Sequence, residues 1–432
     1  QASDAKQWQA NITDTTSMHE SARFYTAALF DHSILAEGDN EQLKEQVFTY
    51  YSRYYQQGEV SKAFFEQVVS SISEQPSFGI TYTLARELAL QLQDITSDNN
   101  YVKRINDMLS DAPSHYKSTL SYARNKAHIT LALGLSDKTE DYIEQVRKLG
   151  GAEAEYLNLK ASLYLYQGAK DKARAQLEKS LIARPNINVQ MKLATLMYAL
   201  GENESSKALL QDIINKIPDD KAAHQLLTVI ALIGGDFEDV VQRYELLLAQ
   251  DADHSDFANV STLSNLSLAY MYLQQYNQAH LVASQAYQLA PKNSAITLNY
   301  ADTLTLSGMV DQAKRYYQEV IEINNGDDSA YSWSDRAQAY AHLGDFQQAT
   351  VAIKQALGVG DELADVYYAA AIVYSTMGEK HSALYYVQKS LDSGYHPNWF
   401  VAPWFKSLCG STQFVSLLDD SQRLCAAKVN LL

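Results

Sequence analysis

Seven times along this chain a small residue, a turn residue and a second small residue recur at fixed distances, and this spacing constrains the fold more tightly than any other feature. With Gly168 as origin, Ala161 lies seven before it, Tyr164 four before, Ala173 five after, Leu177 nine after and Pro185 seventeen after. Gly201, Gly235, Gln274, Gly308, Gly344 and Gly378 start the same frame. Seven before the origins stand Ala161, Ala194, Thr228, Ser267, Ala301, Ala337 and Ala371, and five after stand Ala173, Ser206, Val240, Ala279, Ala313, Ala349 and Ala383. The steps between origins are 33, 34, 39, 34, 36 and 34 residues. A near-constant period of this length marks an array of stacked units.

The residue types follow from the packing of one unit. Two antiparallel helices of about thirteen residues cross closely only where each carries a small side chain, and glycine lets the backbone reverse between them. Bulky residues flank the crossing: Tyr164, Met197, Tyr270, Leu304, Tyr340 and Tyr374 four before their origins, with Leu177, Leu210, Tyr244, Tyr317, Ile353 and Val387 nine after. Pro185, Pro218 and Pro291 close the second helix, because a proline cannot continue it. Units are expected to start near 154, 187, 221, 260, 294, 330 and 364 and to run to 395. Upstream the frame fades. Gly58 with Ala63 and Pro76 suggests a degenerate unit, Lys117 to Leu149 reads as another without its glycine, and Leu84, Leu88 and Leu92 give 79–111 a helical period. Residues 17–153 are therefore expected to form helical hairpins, after a polar, loosely held stretch over 1–16.

This frame resembles the tetratricopeptide repeat family, most closely in LNLSLAYMYLQQYNQAHLVASQAYQLAP and AQAYAHLGDFQQATVAIKQAL. It departs at Gln274 for the turn glycine, at Val240 for the second alanine, and at Ala252, Asn325, Asp361 and Tyr395 where proline is expected. The resemblance implies an all-α, right-handed superhelical solenoid of antiparallel helix pairs, whose inner groove binds a protein or extended peptide.

In such an array the inward side chains fall thirteen, ten, six, three and two before each origin. The candidate partner-binding residues on and beside these rows are Asn158, Tyr166, Tyr198, Gln225, Asn265, Tyr272, Asn299, Asp302, Tyr331, Gln338, His342 and Tyr368. None of the thirty-five inward positions is Lys or Arg, so the lysine and arginine clamp that captures C-terminal carboxylates in some of these proteins is lacking. An aromatic, amide-rich and mildly acidic groove favours a neutral or basic segment. Asn265 and Asn299, at matching positions, could form two rungs of an asparagine ladder, although Asn is common there.

The formal net charge of −16 argues against nucleic acid and anionic lipid as partners. The longest apolar run, LLTVIALI, is far too short to span a bilayer. Asp251, Asp253, His254 and Asp256 fit no cation-loop spacing and read as a solvated loop. Cys409 and Cys425 are either free thiols or one disulfide, the latter fitting an oxidising compartment such as the periplasm, with the cytoplasm as the alternative. Neither a catalytic motif nor a cofactor motif is recognised, so the chain reads as a non-enzyme without cofactor or metal.

After the last unit, 396–432 carries Trp399, Phe400, Trp404, Phe405 and Phe414. These aromatics could cap the exposed end of the array, with a helix near Phe414 to Leu424, or stand out as a partner anchor. The segment resembles the one that follows tetratricopeptide arrays in bacterial signalling proteins, including membrane-anchored winged-helix transcription regulators. The functional expectation is a scaffold in a bacterial envelope assembly, the alternatives being a periplasmic sensing domain and a substrate-delivery subunit of an enzyme.

Overall fold

The computed structural model describes residues 49–50, 52–54, 58–74, 79–250, 260–360, 363–418 and 425. The expected loose stretch over 1–16, the start of the 17–153 hairpins and the loop with Asp251, Asp253, His254 and Asp256 lie outside the described residues. Among those residues every regular element is a helix. The chain divides into two compact units, residues 1–196 and 197–432, with the division inside the helix Ile187–Ala199.

In the first unit, helices Lys62–Glu74, Gly79–Thr96 and Asn100–Ser110 enclose a core of Phe64, Phe65, Leu88 and Ile105. The pair Leu120–Ala132 and Ser136–Lys148 follows, then the pair Glu153–Tyr166 and Lys170–Ala183. The second unit contains Asn203–Lys216, the pairs 221–233/237–250, 260–272/276–289, 294–306/310–323, 330–343/346–359 and 364–376/380–392, and a short C-terminal segment. The helices preceding Pro185, Pro218 and Pro291 end at Ala183, Lys216 and Leu289.

One turn recurs throughout. The residue at each origin donates its N–H three residues back and the next residue donates five back, as Gly168 to Leu165 and Ala169 to Tyr164. This double bond satisfies the last carbonyls of the first helix and places the origin in the left-handed region, which glycine enters without strain. The small residues seven before and five after the seven origins are all buried, Ala161, Ala173, Ala301 and Ala371 with no exposed surface.

The structure adds an eighth origin. Gly134, at φ +73°, lies 34 residues before Gly168 and makes the same pair of bonds, to Leu131 and, through Leu135, to Thr130. Lys117 to Leu149 therefore does have its glycine, with Ala127 seven before and Thr139 five after, both buried. Thr139 fits where alanine is usual because its hydroxyl lies 2.9 Å from Thr130 Oγ1 and 3.0 Å from the Leu135 carbonyl, two acceptors for its one proton.

Gln274 stands in the same conformation at φ +59° without being glycine. A side chain there costs about 1–2 kcal/mol, whereas glycine loses more chain entropy on folding. Gln274→Gly should raise the unfolding free energy by about 1 kcal/mol, read from the denaturation midpoint at unchanged m-value. A lower midpoint would show that Gln274 is not strained.

Candidate functional site

The inner face of the second unit is filled by the chain itself. Helical turns Pro397–Val401 and Pro403–Leu408, followed by the helix Thr412–Leu417, bury Phe400, Phe405, Leu408 and Phe414 completely. Cys409 and Cys425 are joined by a disulfide with the Cα atoms 5.3 Å apart. The segment does more than cap the last pair, because it reaches back to the turn at Gly235. Asn398 Nδ2 donates to the Gly235 carbonyl at 3.0 Å and Trp399 Nε1 to the Ile233 carbonyl at 3.3 Å, across 163 and 166 residues of chain.

Several expected groove residues are what holds it. Tyr368 donates its hydroxyl to the Trp399 carbonyl at 3.0 Å and stacks on Tyr395 at 4.8 Å, while its oxygen also meets the Tyr272 hydroxyl. Tyr272 packs against Phe237 at 4.5 Å and Trp399 at 4.9 Å. His342 lies between Tyr317 at 4.8 Å and Trp404 at 4.7 Å. Ser375 Oγ donates to the Trp404 carbonyl at 2.8 Å. Tyr272 and Tyr368 are 6% and 8% exposed, so they are interior residues and not an open partner surface. Nor do Phe400 and Phe405 stand out as an anchor.

Burying each large apolar side chain contributes about 1.5–3 kcal/mol. Phe400, Phe405, Leu408 and Phe414 together therefore approach the ~8 kcal/mol of a micromolar ligand, and a weak peptide would not displace the segment.

Asp302 is buried too and accepts a hydrogen bond from the Tyr317 hydroxyl at 2.8 Å. Its carboxyl lies 3.7 Å from His342 Nε2. Burial pushes the Asp302 carboxyl up to about 7 and the His342 imidazole down to about 4, so both are driven toward their neutral forms. Burial also raises Asp335, whose carboxylate accepts from Ser294 at 2.6 Å, to about 6.

The remaining candidates have separate surroundings. Asn299 Nδ2 donates to Ser264 Oγ at 3.2 Å and Asn265 Nδ2 to the Tyr244 hydroxyl at 3.4 Å, so the two asparagines tie neighbouring helices instead of forming rungs together. Tyr331 is 55% exposed and directs its hydroxyl toward Asp365. Tyr198, Gln225 and Gln338 are half-buried.

The inner face of the first unit has a different character. Lys192, nine before its origin, donates to Asn158 Oδ1 at 3.0 Å and Ser162 Oγ at 3.1 Å. Arg124 forms a bidentate pair with Glu155 at 2.5 and 2.7 Å. Burial, together with the charges of Arg86, Lys192 and Arg124, pushes the His128 imidazole well down. Tyr166 is 57% exposed, and its hydroxyl rests against Gly134, where a Cβ would collide with it. Sequence spacing missed Lys192 because it stands one residue outside the counted rows, and Arg124 because its unit had not been placed in the frame.

Asp302 gives this interior a measurable pH response. A carboxyl whose pKa is higher in the folded state contributes stability that is fully present below the unfolded value near 3.8 and is lost as pH rises through 7. Relative to the parent, Asp302→Asn should gain up to about 1.4 kcal/mol of stability per pH unit between pH 4 and 7. A parallel pH profile for the two proteins would rule out a protonated, buried Asp302.

Among the described residues no group of three or more His, Cys, Asp or Glu side chains could hold a metal, and no helix is long and apolar enough to cross a membrane. Tetratricopeptide repeat models match residues 154–187 and 270–339. The chain is 22% identical over 210 residues to DnaJ homolog subfamily C member 3 of Rattus norvegicus, covering 46% of this chain and 42% of that protein. For the Homo sapiens protein of the same name the figures are 22% over 222 residues, 48% and 44%. The chain thus spans less than half the length of these relatives. The apo form of RapI superposes with a TM-score of 0.58 at 12% identity, over 72% of this chain and 97% of that one. A tetratricopeptide repeat protein from Parabacteroides merdae gives 0.47 at 18% identity, over 64% and 100%. With its recurring turn and its buried small-residue crossings, the chain carries tetratricopeptide repeats in these two matched segments.

Proposed function

We infer that this is a non-catalytic scaffold that holds a protein or extended peptide partner on the inner face of its first unit. The observation that carries the reading is the contrast between the two inner faces. The second is filled by residues 396–418, while the first presents Asn158, Ser162, Tyr166 and Lys192 without a covering segment among the described residues. Lys192, whose partners there are neutral oxygens, favours a segment offering carbonyl or carboxylate oxygens over the neutral or basic one expected for the groove as a whole. Tyr166 supplies an aromatic platform for that segment.

The disulfide between Cys409 and Cys425 supports work in an oxidising compartment such as the periplasm, as a subunit of a bacterial envelope assembly. The inner-face positions of the first unit, not the interior tyrosines of the second, are then the ones to vary. With a copurifying partner in hand, Lys192→Met combined with Tyr166→Ala should weaken capture at least about tenfold, the ~1.4 kcal/mol expected from losing one charge-assisted contact or more. The circular dichroism should stay unchanged, and Tyr331→Ala should leave capture intact. Capture that survives the double variant and fails in Tyr331→Ala would move the partner to the second unit.

A further inference from the structure

Lys126 sits in the middle of the helix Leu120–Ala132 and is only 5% exposed, an uncommon place for an ammonium group. Lying two residues from both Arg124 and His128, it is about 200° around the helix from each and belongs to another face. Nζ donates to Asn106 Oδ1 at 2.8 Å and to Ser110 Oγ at 3.2 Å. An ammonium group has three donors, so one is left over. Both acceptors are neutral, and among the described residues no carboxylate forms an ion pair with Lys126. A buried charge normally has a partner of opposite sign.

The amine forms part of the wall of a cavity of about 300 Å³ among the helices Asn100–Ser110, Leu120–Ala132 and Ser136–Lys148. Lys138, Asp141, Tyr142 and Gln145 line it as well, and the Tyr142 ring centre is 5.6 Å from Nζ. Burial, followed by the neighbouring charge of Lys138, pushes the Lys126 ammonium below the ordinary lysine range, while Asp107 opposes the shift.

We propose that this cavity is a binding site for a small monocarboxylate. The carboxylate supplies the counter-charge that Lys126 lacks, one oxygen taking its third donor and the other facing Lys138 at the exposed rim. Asn106 and Gln145 offer amide groups to the rest of the molecule, and the Tyr142 ring covers its carbon skeleton. Asp141, also at the rim, repels a second carboxylate. The volume is at the small end of ligand pockets, which run from roughly 300 to 1,000 Å³, and suits a metabolite rather than a peptide.

The test uses the whole chain, with calorimetric titration and thermal unfolding in sodium acetate, disodium succinate and inorganic phosphate at matched ionic strength. Acetate should bind saturably at one site and raise the melting temperature, with succinate weaker. Lys126→Met should abolish this binding. Lys138→Gln, an exposed change that leaves the fold intact, should weaken it by about fivefold and serves as the probe if Lys126→Met does not fold. Saturable binding of phosphate but not acetate would overturn the carboxylate assignment. Absence of saturable binding, or binding unchanged in the Lys138 variant and in any folded Lys126 variant, would overturn the site.

Discussion

The structure depends on close contact between paired helices at fully buried small residues. Where Ala301 and Ala313, or Ala371 and Ala383, leave no exposed surface, the helix axes approach closely enough for the flanking large side chains to interlock. The turn that makes this possible needs a left-handed residue at each origin, because only that conformation lets two successive N–H groups cap the helix that has just ended. Between pairs, side-chain bonds from one first helix to the preceding one recur: Asn299 to Ser264 in the second unit and Lys192 to Asn158 in the first. Polar residues on these rows therefore stabilise the stack before any partner is considered.

A stack of pairs presents an inner face that must be covered or used. The second unit covers its own. Residues 396–418 insert three phenylalanines into its core and tie the Trp399 and Trp404 carbonyls to Tyr368 and Ser375. The interior so formed excludes water well enough to push Asp302 up to about 7 and His342 down to about 4, favouring the uncharged form of each. What an open array would offer as recognition residues has become internal packing, and the first unit keeps a polar face on which Lys192 meets only neutral oxygens.

Much of this architecture was legible in the sequence. The origins and buried small residues needed only counting, since a helix crossing tolerates few side chains. Gly134 has Thr139 at the alanine position and no proline closing its second helix, marks as weak as those of Gly235 with Val240 and Ala252. Lys192 lay one residue outside the rows, yet its long side chain reaches across to Asn158, a distance that spacing alone does not convey. The aromatic run after residue 396 did signal that an apolar face would be covered. Its meeting with Ile233 and Gly235 could not be read, because no local pattern records a contact between residues more than 160 positions apart.

Backbone hydrogen exchange read by mass spectrometry tests the filling of the second unit's inner face most directly. Amides of residues 398–409 should be protected to a degree comparable with the helix Ala364–Thr376, because both belong to one buried cluster. Exchange of 398–409 at the rate of an unstructured chain, with that helix still protected, would mean that the face is open and that Tyr272 and Tyr368 are available to a partner after all.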